Sequence, residues 1–366
     1  HLIFIVKIKN IMNVCIVGDG LVSLTLAKAL INEGIYVDIL PGEKIYGIDK
    51  SRTIGISKAN LDYFNENILN IKKLSWTINK IEIFSDNLNN QKILNFENHG
   101  KIIFSMIKNH ELYNFLIQSL NKNKLFRKKR YNKIFKTDTY DLVINCDSHN
   151  YFSKKYFNKK LGKDYKSHAY ISIIDHKKIP NNNTAIQIFT KRGPLAFLPI
   201  SNKKTSIVYS AKGSKNIDLN KMIVKYNSKY SIIKMNKTSV FKLRASNLRN
   251  YYFQNILAFG DLLHRIHPLA GQGFNMCVRD IKLLISLIKF RLKLGLEVGE
   301  STCLDFEKKA RHKNFLFSNG IDLIYEFFNL ESKIDNSILS SSIKFLNKNR
   351  MAKKIFRQVA DKGIII

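Results

Sequence analysis

Apolar residues near the start of the chain follow two rhythms in succession. Asn13-Val14-Cys15-Ile16-Val17 is a short β-branched apolar run, read as a buried strand. After Gly18-Asp19-Gly20, residues 21–33 place Leu21, Leu24, Leu30 and Ile31 at helical spacing, with Gly34 as a stop. Residues 35–40 read as a second strand, so the pattern is β-α-β with two parallel strands and a right-handed crossover. Further along, helices are expected at 56–70 and 108–121, and strands at 78–84, 92–96 and 141–145. Residues 167–210 are mainly β, a strand at 254–259 ends at Gly260-Asp261, and nearly everything from 273 onward reads as helix. The strand at 254–259 has the character of the first strands. A β-rich middle therefore interrupts one nucleotide-binding unit, and the fold class is α/β.

Composition narrows the class. The 366 residues carry 61 Lys+Arg against 28 Asp+Glu, a net charge of +33, while 45% are hydrophobic, a globular fraction. No stretch of about 18 uncharged apolar residues is present to span a membrane as a helix. The Lys residues are scattered among Asn and Ile, as compositional bias scatters them, and no nucleic-acid-binding motif accompanies them. No nucleic-acid partner is expected. The densest basic runs are 122–133 and 347–357. The second sits on a segment in which Ile343, Phe345, Leu346, Met351, Ile355 and Phe356 interleave with Lys and Arg. Such a helix can lie on an anionic membrane surface or pack its apolar face on the body. Cys15, Cys146, Cys277 and Cys303 show no CxxC spacing, so no metal is expected, and they fit a reducing compartment. The expected location is cytoplasmic, peripheral on the inner membrane if the basic helix docks there. Residues 1–11 lack a signal-peptide cleavage pattern, and Met12 is read as the biological start.

Two segments carry chemistry. Gly18-Asp19-Gly20-Leu-Val-Ser23 lies between a strand and a helix. There Gly18 permits a tight turn and Gly20 lets a pyrophosphate approach the helix N-terminus. Ser23 stands where the fingerprint has Gly or Ala. Pro41 occupies the slot where an acid would meet the adenosine ribose, leaving Glu43, two residues on, as the substitute. The second segment runs Gly260-Asp261-Leu-Leu-His264-Arg-Ile-His267-Pro268-Leu-Ala-Gly271-Gln272-Gly273-Phe274-Asn275-Met-Cys-Val-Arg279-Asp280. It resembles the flavin-contacting segment of the class A flavoprotein monooxygenases, within them the ubiquinone-biosynthesis hydroxylases that act on prenylated phenols. It departs at Leu262, Leu263 and Cys277. The stretch Asp49-Lys-Ser-Arg52-Thr-Ile-Gly-Ile-Ser57 is similar to a further segment of that family. Residues 106–120, 192–210 and 304–314 are similar to others. At 145–150 the family's Gly positions are absent, though Asp147 remains.

The resemblance implies an FAD-binding domain at 12–75, 100–160 and 250–300. It implies a β-sheet substrate domain at 76–99 and 161–249, and C-terminal helices over 301–366. It implies that NAD(P)H, bound transiently, reduces FAD and that the reduced flavin with O2 hydroxylates a prenylated phenol. Gly18, Gly20, Ser23, Glu43, Arg52, Asp261, Pro268, Gly271, Gln272, Gly273, Phe274 and Asn275 would bind the cofactor. His264, His267 and Pro268 would lie beside the flavin as candidate catalytic groups. Two other readings stay open. One is a class A flavoenzyme acting on a different aromatic substrate. The other is a non-catalytic scaffold subunit, motivated by Ser23, Pro41 and Asn145–Asn150.

Overall fold

The computed structural model describes residues 12–42, 49–86, 91–97, 101–130, 136–213, 217–267, 271–334 and 361–362. Glu43, Pro268 and the basic run 347–357 lie outside them. The described helices are α1 (Leu21–Asn32), α2 (Lys58–Asn67), α3 (Asn109–Asn121), α4 (Tyr151–Tyr156), α5 (Leu219–Tyr226), α6 (Gln272–Lys293) and α7 (Glu300–Ile334).

The first β-α-β unit forms as its pattern predicts. Strand Asn13–Val17 pairs in parallel with Tyr36–Leu40, Val17 opposite Leu40. Between them α1 ends at Gly34, whose φ of 77° lets its N–H reach the Ile31 carbonyl while Ile35 N–H reaches Leu30. α1 buries Leu24, Leu26, Ala27, Leu30 and Ile31, each large side chain worth about 1.5–3 kcal/mol removed from water. The full sheet has six strands. It runs Tyr252–Phe253, Ile256–Ala258, Leu142–Asn145, Asn13–Val17, Tyr36–Leu40, Phe126–Lys128. The strand after residue 250 thus returns beside those from the first 145, and only the Tyr252–Phe253 hairpin is antiparallel. Helices α3 and α6 pack against α1.

The chain between these strands builds a nine-stranded, largely antiparallel sheet. Its longest strand is Lys160–His176, paired with Lys204–Lys212 on one side and Ser239–Leu248 on the other. Lys80–Ser85 and Gln91–Glu97 join its far edge. One face carries Tyr170, Leu195, Phe197, Ile207 and Tyr209 and is covered by α5 through Leu219, Ile223 and Tyr226. A third sheet of three strands, Thr53–Ser57, Phe104–Lys108 and Trp76–Ile78, stands between the two larger ones. Among the described residues no helix is long and apolar enough to cross a membrane.

Candidate functional site

Two helix N-termini are left open where the parallel sheet ends. Gly20 caps α1 with no side-chain hydrogen bond, and no acidic residue stands in the first turn. Gly271 caps α6 under the same conditions. Each therefore presents bare N–H groups and the positive end of a helix dipole. A Cβ built on Gly20 or on Gly273 would meet no atom within 4 Å. Both glycines face open space that any side chain would fill.

The turn before α1 is tight for a visible reason. Gly18 has φ 102° and donates its N–H to the Leu40 carbonyl at 2.8 Å, and its α-carbon lies against Cys146 and Asp147. Ser23 is 1% exposed and hydrogen-bonds the Cys146 thiol, whose pKa burial pushes up to about 12. Its hydroxymethyl is thus accommodated by a partner. The 145–150 segment, which lacks the family's glycines, is hydrogen-bonded throughout. Asn150 Nδ2 donates to Asn145 Oδ1 at 2.7 Å, Asn145 Nδ2 to Ser153 Oγ at 2.9 Å, and Asn150 Oδ1 caps α4 by accepting from Ser153 N–H. Asparagine side chains do here what a glycine turn does elsewhere.

The second motif closes onto the first. Gly260, with φ 62°, brings the end of strand Ile256–Ala258 against Val22 in the first turn of α1. Asp261, next in sequence, keeps its side chain 70% exposed. Gly271, φ 64°, packs its α-carbon on the backbone of Gly55, a Cβ there meeting Gly55 N at 3.3 Å. Asn275 then ties three elements together. Its Nδ2 donates to Gly55 O at 2.9 Å, and its Oδ1 accepts from Ser57 N–H and Asn60 Nδ2, both at 2.9 Å. Phe274 is buried against Phe64, and Gln272 is buried with Oε1 unpartnered.

The two histidines are enclosed. His264 shares a hydrogen bond through Nε2 with buried Asp280, whose other oxygen accepts from Asn314 Nδ2 at 3.1 Å. His267 is 1% exposed and stands edge-on to Tyr165 at 4.9 Å, and burial pushes its pKa down to about 3. Its ring is neutral at physiological pH. Arg52 is exposed, with its guanidinium 5.3 Å from the centre of the Phe241 ring on the nine-stranded sheet.

Two features escaped sequence reasoning. Asp38 looked like an ordinary strand position. It is fully buried and held by Arg127 at 2.8 Å, Lys129 at 2.6 Å and Tyr140 Oη at 2.8 Å. Asp361 caps α2, its Oδ1 accepting from Ala59 N–H and its carbonyl from Ser57 Oγ, each at 2.8 Å. A partner 302 positions away leaves no local signal.

No protein-family model matches the sequence. Curated relatives do. Ubiquinone biosynthesis monooxygenase COQ6, mitochondrial, of Schizosaccharomyces pombe is 23% identical over 273 residues, 61% of this chain and 57% of that protein. The 3-demethoxyubiquinol 3-hydroxylase of Escherichia coli is 29% identical over 152 residues, 39% of each. The chain thus spans about half the length, or less, of these relatives. Among solved structures, p-nitrophenol 4-monooxygenase PnpA from Pseudomonas putida DLL-E4 superposes with a TM-score of 0.76 at 13% identity, covering 97% of this chain and 99% of that one. HpxO of Klebsiella pneumoniae, complexed with FAD and uric acid, gives 0.75 at 11% identity, covering 96% and 97%. The fold is that of these monooxygenases, with the α/β class, β-rich insertion and C-terminal helices expected from the sequence. The curated relatives are hydroxylases of the kind that residues 260–280 resemble.

Proposed function

We propose that the chain binds FAD and hydroxylates the aromatic ring of a prenylated phenol, as an NAD(P)H- and O2-dependent monooxygenase of ubiquinone biosynthesis. The observation that carries this reading is the pair of uncapped N-termini on two helices that pack together, with Gly260 against Val22 and open space in front of Gly20 and Gly273. An elongated dinucleotide with an anionic middle fits such ground.

Residue by residue, Gly18, Gly20 and Ser23 would hold the pyrophosphate at α1, and exposed Asp261 would accept from the ribityl hydroxyls. Gly271, Gln272, Gly273, Phe274 and Asn275 would shape the seat of the flavin ring. Arg52 stands at the edge of that ground, and Glu43 and Pro268 complete the set on sequence grounds. FAD, when bound, supplies two-electron reduction by NAD(P)H and the activation of O2 for transfer of one oxygen atom to the ring. The protein's own part is positional and electrostatic. The α6 N–H groups steady negative charge beside Gly271–Gly273. The His264–Asp280 pair locks the turn onto α6, and neutral His267 against Tyr165 adds no competing charge. The histidines are thereby proposed as positioning groups. The basic run 347–357 supports a peripheral contact with an anionic membrane, where a prenylated substrate would reside.

The test is FAD titration of the purified protein followed by NAD(P)H oxidation with and without an alkylphenol. Saturable FAD uptake and phenol-stimulated oxidation are expected. A protein that takes up no FAD would be the scaffold subunit instead.

A further inference from the structure

Ser57 stands at the cap position of α2, where a serine usually accepts from an N–H group of the first turn. Here its side chain makes no such bond. The hydroxyl donates to the Asp361 carbonyl at 2.8 Å instead, and Asp361 Oδ1 accepts from Ala59 N–H at 2.8 Å. A local acceptor is present, yet the helix start takes its acceptor from a residue 302 positions away. Ordering so distant a residue on this turn costs chain entropy that a serine cap does not. What the exchange adds is a tie between Asp361 and the start of α2.

That turn also holds Asn275. Asn275 Oδ1 accepts from Ser57 N–H and Asn60 Nδ2, both at 2.9 Å. Its Nδ2 donates to Gly55 O at 2.9 Å and to Gly271 O at 3.3 Å, and Gly271 caps α6. Ser57 carries both connections, through its hydroxyl to Asp361 and through its N–H to Asn275. An unbroken run of hydrogen bonds therefore leads from Asp361 through Ser57 and Asn275 to the cap of α6. Ser57, Asn60 and Asn275 are all buried, where a broken hydrogen bond is not replaced by water.

Charge adds to the tie. A carboxylate at the start of α2 meets the positive end of the helix dipole. Asp361 is also within electrostatic reach of Arg279, one turn after Asn275 on α6. The Arg279 Nη1 and Nη2 atoms are shut away from solvent without a hydrogen-bond partner among the described residues.

We propose that Asp361 is a positioning residue of the cofactor seat. It fixes the first turn of α2, so that Asn275 and Gly271 keep the N-terminus of α6 set for the flavin ring. This rests on the FAD reading given above and adds a residue that touches neither the cofactor nor the substrate.

FAD titrations and thermal melts of four variants test it. Asp218→Ala is the matched control, since Asp218 caps α5 in the same way, on the nine-stranded sheet. Asp361→Ala and Asp218→Ala should each lower the melting temperature by about 1–3 °C, the worth of one cap. Only Asp361→Ala should weaken FAD binding, by about 3- to 10-fold, the worth of one hydrogen bond. Asp361→Asn keeps an acceptor for Ala59 N–H and should stay within about 3-fold of wild type. Ser57→Ala deletes the hydroxyl alone, should weaken FAD by about 2- to 5-fold, and decides the matter if Asp361→Ala does not fold. Undiminished FAD affinity in Asp361→Ala or in Ser57→Ala overturns the assignment. So does an equal loss in Asp218→Ala, or an Asp361→Asn as weak as Asp361→Ala. Amide hydrogen exchange at Ser57, read without FAD, separates the two readings. A wild-type protein that takes up no FAD defeats the cofactor reading. Faster Ser57 exchange in Asp361→Ala would still show the tie to Asn275, and unchanged exchange would refute it.

Discussion

Gly20 has an ordinary extended backbone, φ −71° and ψ 175°, and a Cβ there would meet nothing within 4 Å. The protein itself therefore tolerates a side chain at this position. A bound pyrophosphate would not. Gly20→Val is expected to leave the apoprotein's melting temperature within about 2 °C of wild type, a surface-like change, and to lower FAD affinity by at least about 10-fold. A thermal melt and an FAD titration of the same sample check both. Gly271 differs, because its φ of 64° and its approach to Gly55 N make it a fold requirement as well. At this scale the sequence was informative where spacing encodes a turn. Gly18, Gly20, Gly271 and Asn275 were all legible, since strand-glycine-helix patterns are local. The enclosure of His264 was not, since its partner Asp280 lies on the following helix beyond a turn.

Among elements, the edge of the parallel sheet is pinned by charge. Strand Phe126–Lys128 lies beside Tyr36–Leu40, and Arg127 and Lys129 reach across to Asp38. Burial alone would raise the Asp38 pKa, but hydrogen bonds from Lys129, Tyr140 and Arg127 outweigh it and hold the carboxyl below its ordinary value. The folded protein thus binds fewer protons here than the unfolded chain. This stabilisation is complete above about pH 4 and drains away as pH falls through the depressed value. Asp38→Asn is expected to cost about 2 kcal/mol at pH 7. It should also flatten the loss of stability between pH 5 and pH 3. Urea melts across that range measure it, and an acid limb as steep as wild type would contradict the assignment. The amphipathic and β-branched runs gave α1, α2, α3 and the parallel strands other than Phe126–Lys128 close to their observed bounds. α5 was not legible inside a β-rich region, although Asp218 caps it by accepting from Asn220 and Lys221 N–H. Its eight residues are too short for periodicity to stand out, and it forms because the sheet's tyrosine-rich face needs cover.

For the molecule as a whole, a β-rich sheet interrupting a parallel one was readable because the strand before Gly260-Asp261 repeats the character of the first. The three-stranded sheet between them was not readable. It gathers strands from residues 53–57, 76–78 and 104–108, and only the assembled fold shows that it packs on the nine-stranded sheet. The net charge of +33 plays little part in this architecture. Buried Asp38 is neutralised by Arg127 and Lys129, and the open N-termini of α1 and α6 present backbone N–H groups and glycines. The function proposed for this arrangement is oxygen transfer to an aromatic ring. The most direct measurement supplies the purified protein with FAD, NAD(P)H, an alkylphenol and isotopically labelled O2, and analyses the product by mass spectrometry. One labelled oxygen in a hydroxylated ring, absent when FAD is omitted, is the predicted result. An unchanged phenol, with FAD bound and NAD(P)H oxidised or not, would contradict the account.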